Sequence, residues 1–508
     1  MRKRLAKLVS LVIFLSGCVR AAPSASEWRP IDPVQQPIST TIFQFTATAS
    51  FKLPPTRIPG SLEVTPTPDS PHALPTQRSN SETYVVQYGD TLGQIAEKYS
   101  VSLESLMQAN SISNPNALEI GQVLTIPVII SQMVGSSLKL IPDSELVYGP
   151  MSITLDIDQT IKKYNGFLAG YFQQVDDLTL DAVRIIERVS QDYSVNPRLL
   201  IAVLEYRTGW LTKPQSEIDA GEYPIGFEDG IHAGLYRQLA ITANTLNRGF
   251  YLWNINGLPS ITTNDGNLVT LDPSINAGTA AVQYLFSKLD DIGLWKRDIS
   301  SDGFLAQYKA LFGNPFDYSI EPLVPTDLVQ PAMDLPFQSG ENWEFTGGPH
   351  GGWDTGSAWA ALDFAPPGEA MGCITSDAWV TAVADGLIVR AGNGAVIEDL
   401  DGDGFEQTGW VILYMHIASQ DRIKPGITVH AGDKIGHPSC EGGVSNGTHI
   451  HLARRFNGVW ISADSQVPFN LDGWISSGTG VMYDGFLTRD DRQVEAFAGN
   501  NPINLIQR

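Results

Sequence analysis

Polar and apolar residues change rhythm several times along this chain, and each change predicts a different element. The first pattern is a mostly apolar run from Leu8 to Leu15, interrupted only by Ser10 and preceded by Arg2, Lys3, Arg4 and Lys7. A run this short cannot cross a bilayer core of ~30 Å, which needs about 20 apolar residues. It predicts a signal peptide over residues 1–17. Residues 18–80 are rich in Pro, Ser and Thr. Pro54-Pro55, Thr65-Pro66-Thr67-Pro68 and Pro71 disfavour helix and sheet, so a flexible tether is expected there.

At residue 84 the pattern becomes regular. Tyr84-Val85-Val86-Gln87-Tyr88 alternates like a strand, and Gly89-Asp90-Thr91 is a turn. Leu92, Ile95, Ala96 and Tyr99 recur at helical spacing, and a second short helix is expected over 103–109. Asn114-Pro115-Asn116 breaks that pattern, and residues 121–127 read as a closing strand. The order over 84–128 is βααβ.

Residues 140–330 carry helical periodicity and predict a mainly α-helical middle domain. One helix is expected over 178–193, from Leu180, Val183, Ile185, Ile186 and Val189. Pro197 suits the start of a second, and others are expected near 234–247 and 274–289. From 335 to 485 the pattern shortens to strands between Gly, Asp and Asn turns. Strands are expected over 379–384, 386–392, 409–414 and 448–454, giving an all-β antiparallel domain. Residues 486–508 read as a polar tail appended to it.

Composition narrows the function. A chain of 508 residues exceeds one core, so several units are expected. The net charge is −22, and loss of the leader's four basic residues takes it to −26 (−22 minus 4). No basic stripe is available for phosphates, which argues against nucleic acid. The cysteines are Cys18, Cys373 and Cys440. Three is odd, so one has a separate task. Export permits disulfides, which makes Cys373 and Cys440 a candidate pair.

The candidate chemistry lies in the last domain. Of the eight histidines, His350, His416, His430, His437, His449 and His451 fall there. In Thr448-His449-Ile450-His451 the two imidazoles are two apart, so a strand projects both to one face. His416 ends another strand, and His350 opens a Gly-rich segment that runs to Asp363. A catalytic zinc site needs about three N or O ligands and one open position. His430 and His437 sit near turns and are expected at the surface or behind the site. Asp399, Asp401 and Asp403 begin like a calcium loop, but Trp410 stands where the twelfth-position Glu belongs, so a polar hairpin turn is expected.

Four resemblances extend this reading. Leu15-Ser16-Gly17-Cys18 resembles a bacterial lipobox, which implies cleavage before Cys18 and a lipid anchor on it. "YVVQYGDTLGQIAEKY" and "IGQVLTIP" resemble the LysM module. That resemblance implies peptidoglycan glycan binding along Gly89, Asp90, Thr91, Leu92, Asn116, Ala117, Leu118, Glu119 and Ile120, with Leu92 and Leu118 packed on the sugar. "VNPRLLIAVLEYRTGWLT" resembles the catalytic helix of lysozyme-like lytic transglycosylases, but the family's catalytic Glu falls on Arg207. Arg cannot donate a proton near neutral pH; Glu205 lies about 200° around the helix.

"GGPHGGWDTGSAWAALDFAPP", "VILYMHI", "AGDKIGHPSCEGG" and "GTHIHLARR" together resemble the lysostaphin/LytM and β-lytic zinc endopeptidases. This resemblance implies an antiparallel β groove, with His350, Asp363 and His451 as zinc ligands. It makes His449 the residue that deprotonates or positions water and His416 the residue that stabilises the oxyanion. Asp354 stands at the spacing commoner in lysostaphin relatives, and Asp363 at that of the β-lytic branch; Asp363 is favoured. The expected protein is an exported, lipid-anchored zinc endopeptidase acting on peptidoglycan. The alternative is a non-catalytic wall-binding scaffold or regulator of other hydrolases.

Overall fold

The computed structural model describes residues 80–508, apart from 88–89, 100, 102, 116–117, 128–132, 215–220, 367, 369–371, 375 and 500–501. The expected signal peptide, nearly all of the tether, and Cys18 therefore lie outside the described residues, as do Gly89, Asn116 and Ala117.

The first unit pairs β1 (Glu82–Val85) antiparallel with β2 (Val123–Ile126), with α1 (Leu92–Lys98) and α2 (Leu103–Ala109) between them. Thr91 Oγ1 accepts from Gln94 N and Gln94 Oε1 accepts from Thr91 N, a reciprocal cap that starts α1. Leu92, Ile95, Leu106, Leu124 and Ile126 form its core. One expectation needs correction here. Leu92 is 1% exposed, so it belongs to this core and does not pack on a sugar. Within the expected groove, Ile120 is an exposed apolar residue, at 68%.

The middle unit holds α3 (Ile157–Tyr164), a hairpin of β3 (Phe172–Val175) and β4 (Leu178–Asp181), α4 (Ala182–Tyr193), α5 (Pro197–Thr208) and α6 (Leu235–Asn254). A second hairpin, β5 (Ser260–Thr262) and β6 (Leu268–Thr270), precedes α7 (Ala277–Leu289), α8 (Ile292–Asp298) and α9 (Phe304–Phe312). The helix expected over 178–193 begins only at Ala182. Residues 178–181 pair with β3, and the Asp181 side chain caps α4 by accepting from Arg184 N. Pro197 opens α5, as its fixed φ favours. α6 and α7 approach closely because Gly249 carries no side chain: a Cβ there would lie 2.8 Å from the Ala281 Cα.

The C-terminal unit is built on a nine-stranded antiparallel sheet. Its strands are β7 (Asn342–His350), β8 (Ala361–Ala365), β10 (Gly386–Gly392), β11 (Ala395–Asp399), β12 (Trp410–Met415), β13 (Thr428–Val429), β15 (Ile450–Phe456), β16 (Val459–Trp460) and β21 (Leu505–Gln507). The order is β13-β10-β11-β12-β15-β8-β7-β21, with β16 paired to β15. Strands β9 (Val380–Thr381) and β14 (Lys434–Gly436) pair separately. A four-stranded sheet follows the order β17 (Asn470–Leu471), β18 (Trp474–Gly478), β19 (Gly485–Arg489), β20 (Arg492–Glu495). Residues 486–508 are thus not an appendage. Leu487, Val494 and Ile506 are buried, β21 hydrogen-bonds to β7, and Arg508 forms an ion pair with Asp334.

Strand alternation gives the large sheet two different faces. Leu362, Phe364, Ile412, Tyr414, Ile450 and Leu452 point into a core with Trp343 and Phe337. Ala361, Leu413, Met415, Ala453 and Trp460 point the other way, into the core of the helical unit. Polar bonds follow the same seam: Trp460 N donates to Tyr251 Oη at 2.9 Å, and Ser194 Oγ to the Gly458 carbonyl at 2.7 Å. Arg390 bridges Asp192 of α4 and Glu406 at 3.2 and 3.0 Å.

Under the opposite face, Glu398 is fully buried, and burial pushes its carboxyl up to about 8, against the lowering effect of a hydrogen bond from Tyr414. A carboxyl raised in the folded state contributes most below its unfolded value of 4.5, and that contribution is lost as pH rises toward 8. Glu398→Gln is neutral throughout. Relative to wild type it should gain stability between these pH values, by on the order of 3 kcal/mol. Denaturant titrations at pH 5 and pH 8 measure this. A stability difference independent of pH would contradict a raised Glu398.

Candidate metal centre

Adjacent strands assemble the site. Asp363 on β8 stands directly opposite His451 on β15, and Met415, the last residue of β12, pairs with His451 from the other side. His350 ends β7, whose register with β8 shifts twice between Phe345 and His350. Those irregularities bring His350 around to the Asp363 side chain. Gly347 lies opposite Asp363, and a Cβ there would sit 2.7 Å from its Oδ2. The absence of a side chain at 347 is what leaves room for the carboxylate.

His350 Nε2 lies 2.9 Å from His451 Nδ1, and each lies 3.2 Å from Asp363 Oδ1. The far nitrogen of each ring is already committed. His350 Nδ1 is 2.8 Å from the Gly348 carbonyl, and His451 Nε2 is 3.1 Å from the Gly352 carbonyl. A carbonyl only accepts, so these contacts assign each neutral ring's proton to its outward nitrogen. Burial pushes the His451 imidazole down, outweighing the pull of the adjacent Asp363 carboxylate, and keeps it neutral. Burial also opposes ionisation of Asp363, but the neighbouring imidazoles of His350, His449 and His451 hold its carboxyl well below the usual range.

The result is three electron-pair donors facing one another. Asp363 Oδ1 is buried with no hydrogen-bond partner of its own. Such convergence is unfavourable without a cation among the donors. Two imidazole nitrogens and one carboxylate oxygen are a ligand set that zinc favours. The residues present fit the group.

Two more imidazoles border this cluster. His449 Nε2 is 3.8 Å from Asp363 Oδ2, and its Nδ1 is 2.8 Å from the Gly447 carbonyl. The His416 and His449 ring centroids are 4.6 Å apart. His416 has φ +67°, a left-handed conformation that costs a non-glycine residue about 1 kcal/mol or more. Ser439 holds it there, its N and Oγ both donating to the His416 carbonyl at 2.7 and 2.9 Å. Burial, reinforced by His449 and His451, pushes His416 down to about 3.

His416 Nδ1 lies 3.1 Å from the Glu441 carbonyl, which places the neutral ring's proton on Nδ1. Its Nε2 is then an acceptor. To donate to an oxyanion from Nε2, His416 would first have to gain a proton that burial opposes. This departs from the donor role expected for His416. Cys373 and Cys440 are disulfide-bonded. The bridge anchors the loop that supplies the Glu441 carbonyl to His416 and Ser445 Oγ, 3.4 Å from His449 Nδ1.

Other singled-out residues lie elsewhere. Asp354 is not among the converging donors: its Oδ2 accepts from Tyr193 of α4 at 3.3 Å and its Oδ1 from Thr355 N. Glu205 accepts from Leu211 N and from the Thr212 hydroxyl, closing the turn after α5, and Arg207 pairs with Asp290 at 2.8 Å. Both are occupied by structural bonds. Asp399, Asp401 and Asp403 lie close together, bonded to amides of their own turn. His430 is exposed, whereas His437 is buried against Trp379, with ring centroids 3.9 Å apart, and is not a surface residue. Sequence reasoning missed Tyr483, whose ring stacks on His350 at 4.2 Å. Nothing local in the run Tyr483-Asp484-Gly485 connects it to a residue over a hundred positions earlier.

Comparisons with known proteins divide the chain similarly. Residues 84–127 match the LysM domain, and residues 139–325 match the LasA N-terminal domain. The second match covers the middle segment, including the run read as similar to the catalytic helix of lytic transglycosylases. Protease LasA of Pseudomonas aeruginosa is 22% identical over 299 residues, covering 56% of this chain and 68% of that protein. N-acetylmuramoyl-L-alanine amidase XlyA of Bacillus subtilis is 46% identical over 46 residues, 9% of this chain and 16% of its own. Among solved structures, the deep-sea M23 metalloprotease pseudoalterin matches with 25% identity and a TM-score of 0.29, over 35% of this chain and all of its own. The catalytic domain of lysostaphin from Staphylococcus simulans matches with 25% identity and a TM-score of 0.18, over 24% and 89% respectively.

Proposed function

We propose that this chain is an exported zinc endopeptidase that hydrolyses peptide stems or cross-links of peptidoglycan. The observation that carries the reading is the convergence of His350 Nε2, Asp363 Oδ1 and His451 Nδ1, with the carboxylate oxygen otherwise unpartnered. Similarity to a protein named as a protease supports the hydrolytic reading, and the LysM match supports a wall glycan as the target.

His350, Asp363 and His451 would hold the metal. When bound, zinc supplies a Lewis acid that polarises a carbonyl and acidifies water. The chain's own residues do the rest. His449 has its Nδ1 tied to Gly447, which leaves Nε2 free to take a proton. As water attacks the scissile carbonyl carbon, His449 Nε2 accepts the proton and returns it to the leaving amide nitrogen. The C–N bond then breaks. His416 stays neutral near pH 7 and offers Nε2 as a second acceptor that orients water or substrate N–H. Its carbonyl, fixed by Ser439, keeps that ring in place.

The lipobox-like Leu15-Ser16-Gly17-Cys18 supports a membrane anchor on Cys18, with residues 18–80 as a tether. The LysM unit then raises the local concentration of glycan near the metal centre. Deleting residues 84–127 should lower activity on intact sacculi about 10-fold or more while sparing soluble peptides. Equal loss on both substrates would remove the targeting role. The function itself is tested by mass spectrometry of peptidoglycan digests. New peptide termini from wild type, absent with His451→Ala, are expected. New reducing or anhydro sugar ends would overturn the reading.

A further inference from the structure

The segment between His350 and Trp359 is held from outside its own unit. Gly356 N donates to Asn244 Oδ1 of α6 at 2.7 Å, and Asn244 Nδ2 donates to Thr355 Oγ1 at 3.3 Å. The helix backbone comes so near that a Cβ on Gly356 would lie 2.0 Å from the Asn244 carbonyl oxygen. Within the segment, Trp353 N donates to Ser357 Oγ at 2.9 Å and Gly352 N to the Ala358 carbonyl at 3.0 Å. The tip clamped by Asn244 is thus tied back to Gly352.

Gly352 matters because its carbonyl is the partner of His451 Nε2. A second route from α6 reaches the same residue. Tyr251 Oη accepts from Trp460 N, and the Trp460 ring packs so closely that a Cβ on Gly352 would lie 2.5 Å from it. The helical unit therefore fixes, from two directions, the carbonyl that sets the tautomer and orientation of a metal-binding imidazole.

We infer that Asn244 is a positioning residue for the metal centre: from the helical unit it orders the 351–358 loop, so that the Gly352 carbonyl holds His451 Nδ1 toward the ion. This rests on the proposed metal site and assigns the helical unit a role inside it. Outer partners of metal-binding histidines typically change affinity by about 10–100-fold. Asn244 acts one step further out, and the lower end is expected.

The test uses the full chain after leader removal. Zinc affinity is measured by competition with a chelator, and amide hydrogen exchange is followed in metal-free protein. Asn244→Ala should weaken zinc binding about 10-fold and speed exchange of the Gly356 amide. Asn244→Asp keeps the acceptor for Gly356 N and should restore both. Asn244 is only partly buried, so the helical core should survive either change. Wild-type affinity and unchanged Gly356 exchange in a folded Asn244→Ala chain would overturn the inference while leaving the proposed function intact. Absence of zinc binding by wild type would instead remove the proposed function. The exchange measurement would still decide whether Asn244 orders the loop.

Discussion

Asp363→Ala should leave the chain folded and unable to retain zinc. Asp363 is the single anionic member of the converging set and touches both imidazoles at 3.2 Å. Losing an outer partner of a metal ligand already costs about 10–100-fold in affinity, so losing the ligand itself should cost more than that. Endopeptidase activity should fall at least as far. The stability change should depend on metal. Zinc at about a thousand times its dissociation constant adds ~4 kcal/mol to wild type by mass action. The variant should gain none of this. Elemental analysis after dialysis and melting curves with and without zinc measure both effects. Asp354→Ala is the control: that carboxylate bonds Tyr193, so the variant should keep one zinc per chain. The assignment collapses if Asp354→Ala loses the metal and Asp363→Ala keeps it.

The second large effect separates holding metal from using it. His449→Ala should retain zinc at wild-type stoichiometry and lose kcat by about 10²–10⁴-fold, the usual worth of a positioned acid–base group. KM should change little, because a proton transfer is felt in the transition state and not in substrate binding. His416→Ala should also retain zinc, with a smaller kcat loss, since its Nε2 orients water or substrate and takes no proton in the reaction. Loss of zinc from His449→Ala would make this residue a ligand and would require a different proton acceptor.

Much of this organisation was written locally. The βααβ order, the Pro197 helix start and several strands of the C-terminal unit follow from periodicities of two and 3.6 residues. The pairing of His449 and His451 across one intervening apolar residue is likewise a local signal. Where local reading failed, a distant partner had changed the outcome. Residues 178–181 left the expected helix because β3 offered them a ladder and Asp181 a cap. Leu92 left the expected sugar face because the small core around Ile95 and Leu106 needed it. Residues 486–508 joined the sheets because the edge of β7 offered unpaired hydrogen-bonding groups to β21.

The chain's own order of residues determined which donor atoms exist, and which lie on one face of one strand. Only the folded sheet decided that Asp363 and not Asp354 faces His451, because register between β8 and β15 is set by packing on both sheet faces. Only the folded chain brought Tyr483 onto His350 and Asn244 to the loop behind His451. Such contacts join residues separated by a hundred positions or more. Their geometry comes from burial of the elements that carry them, and no local periodicity encodes it.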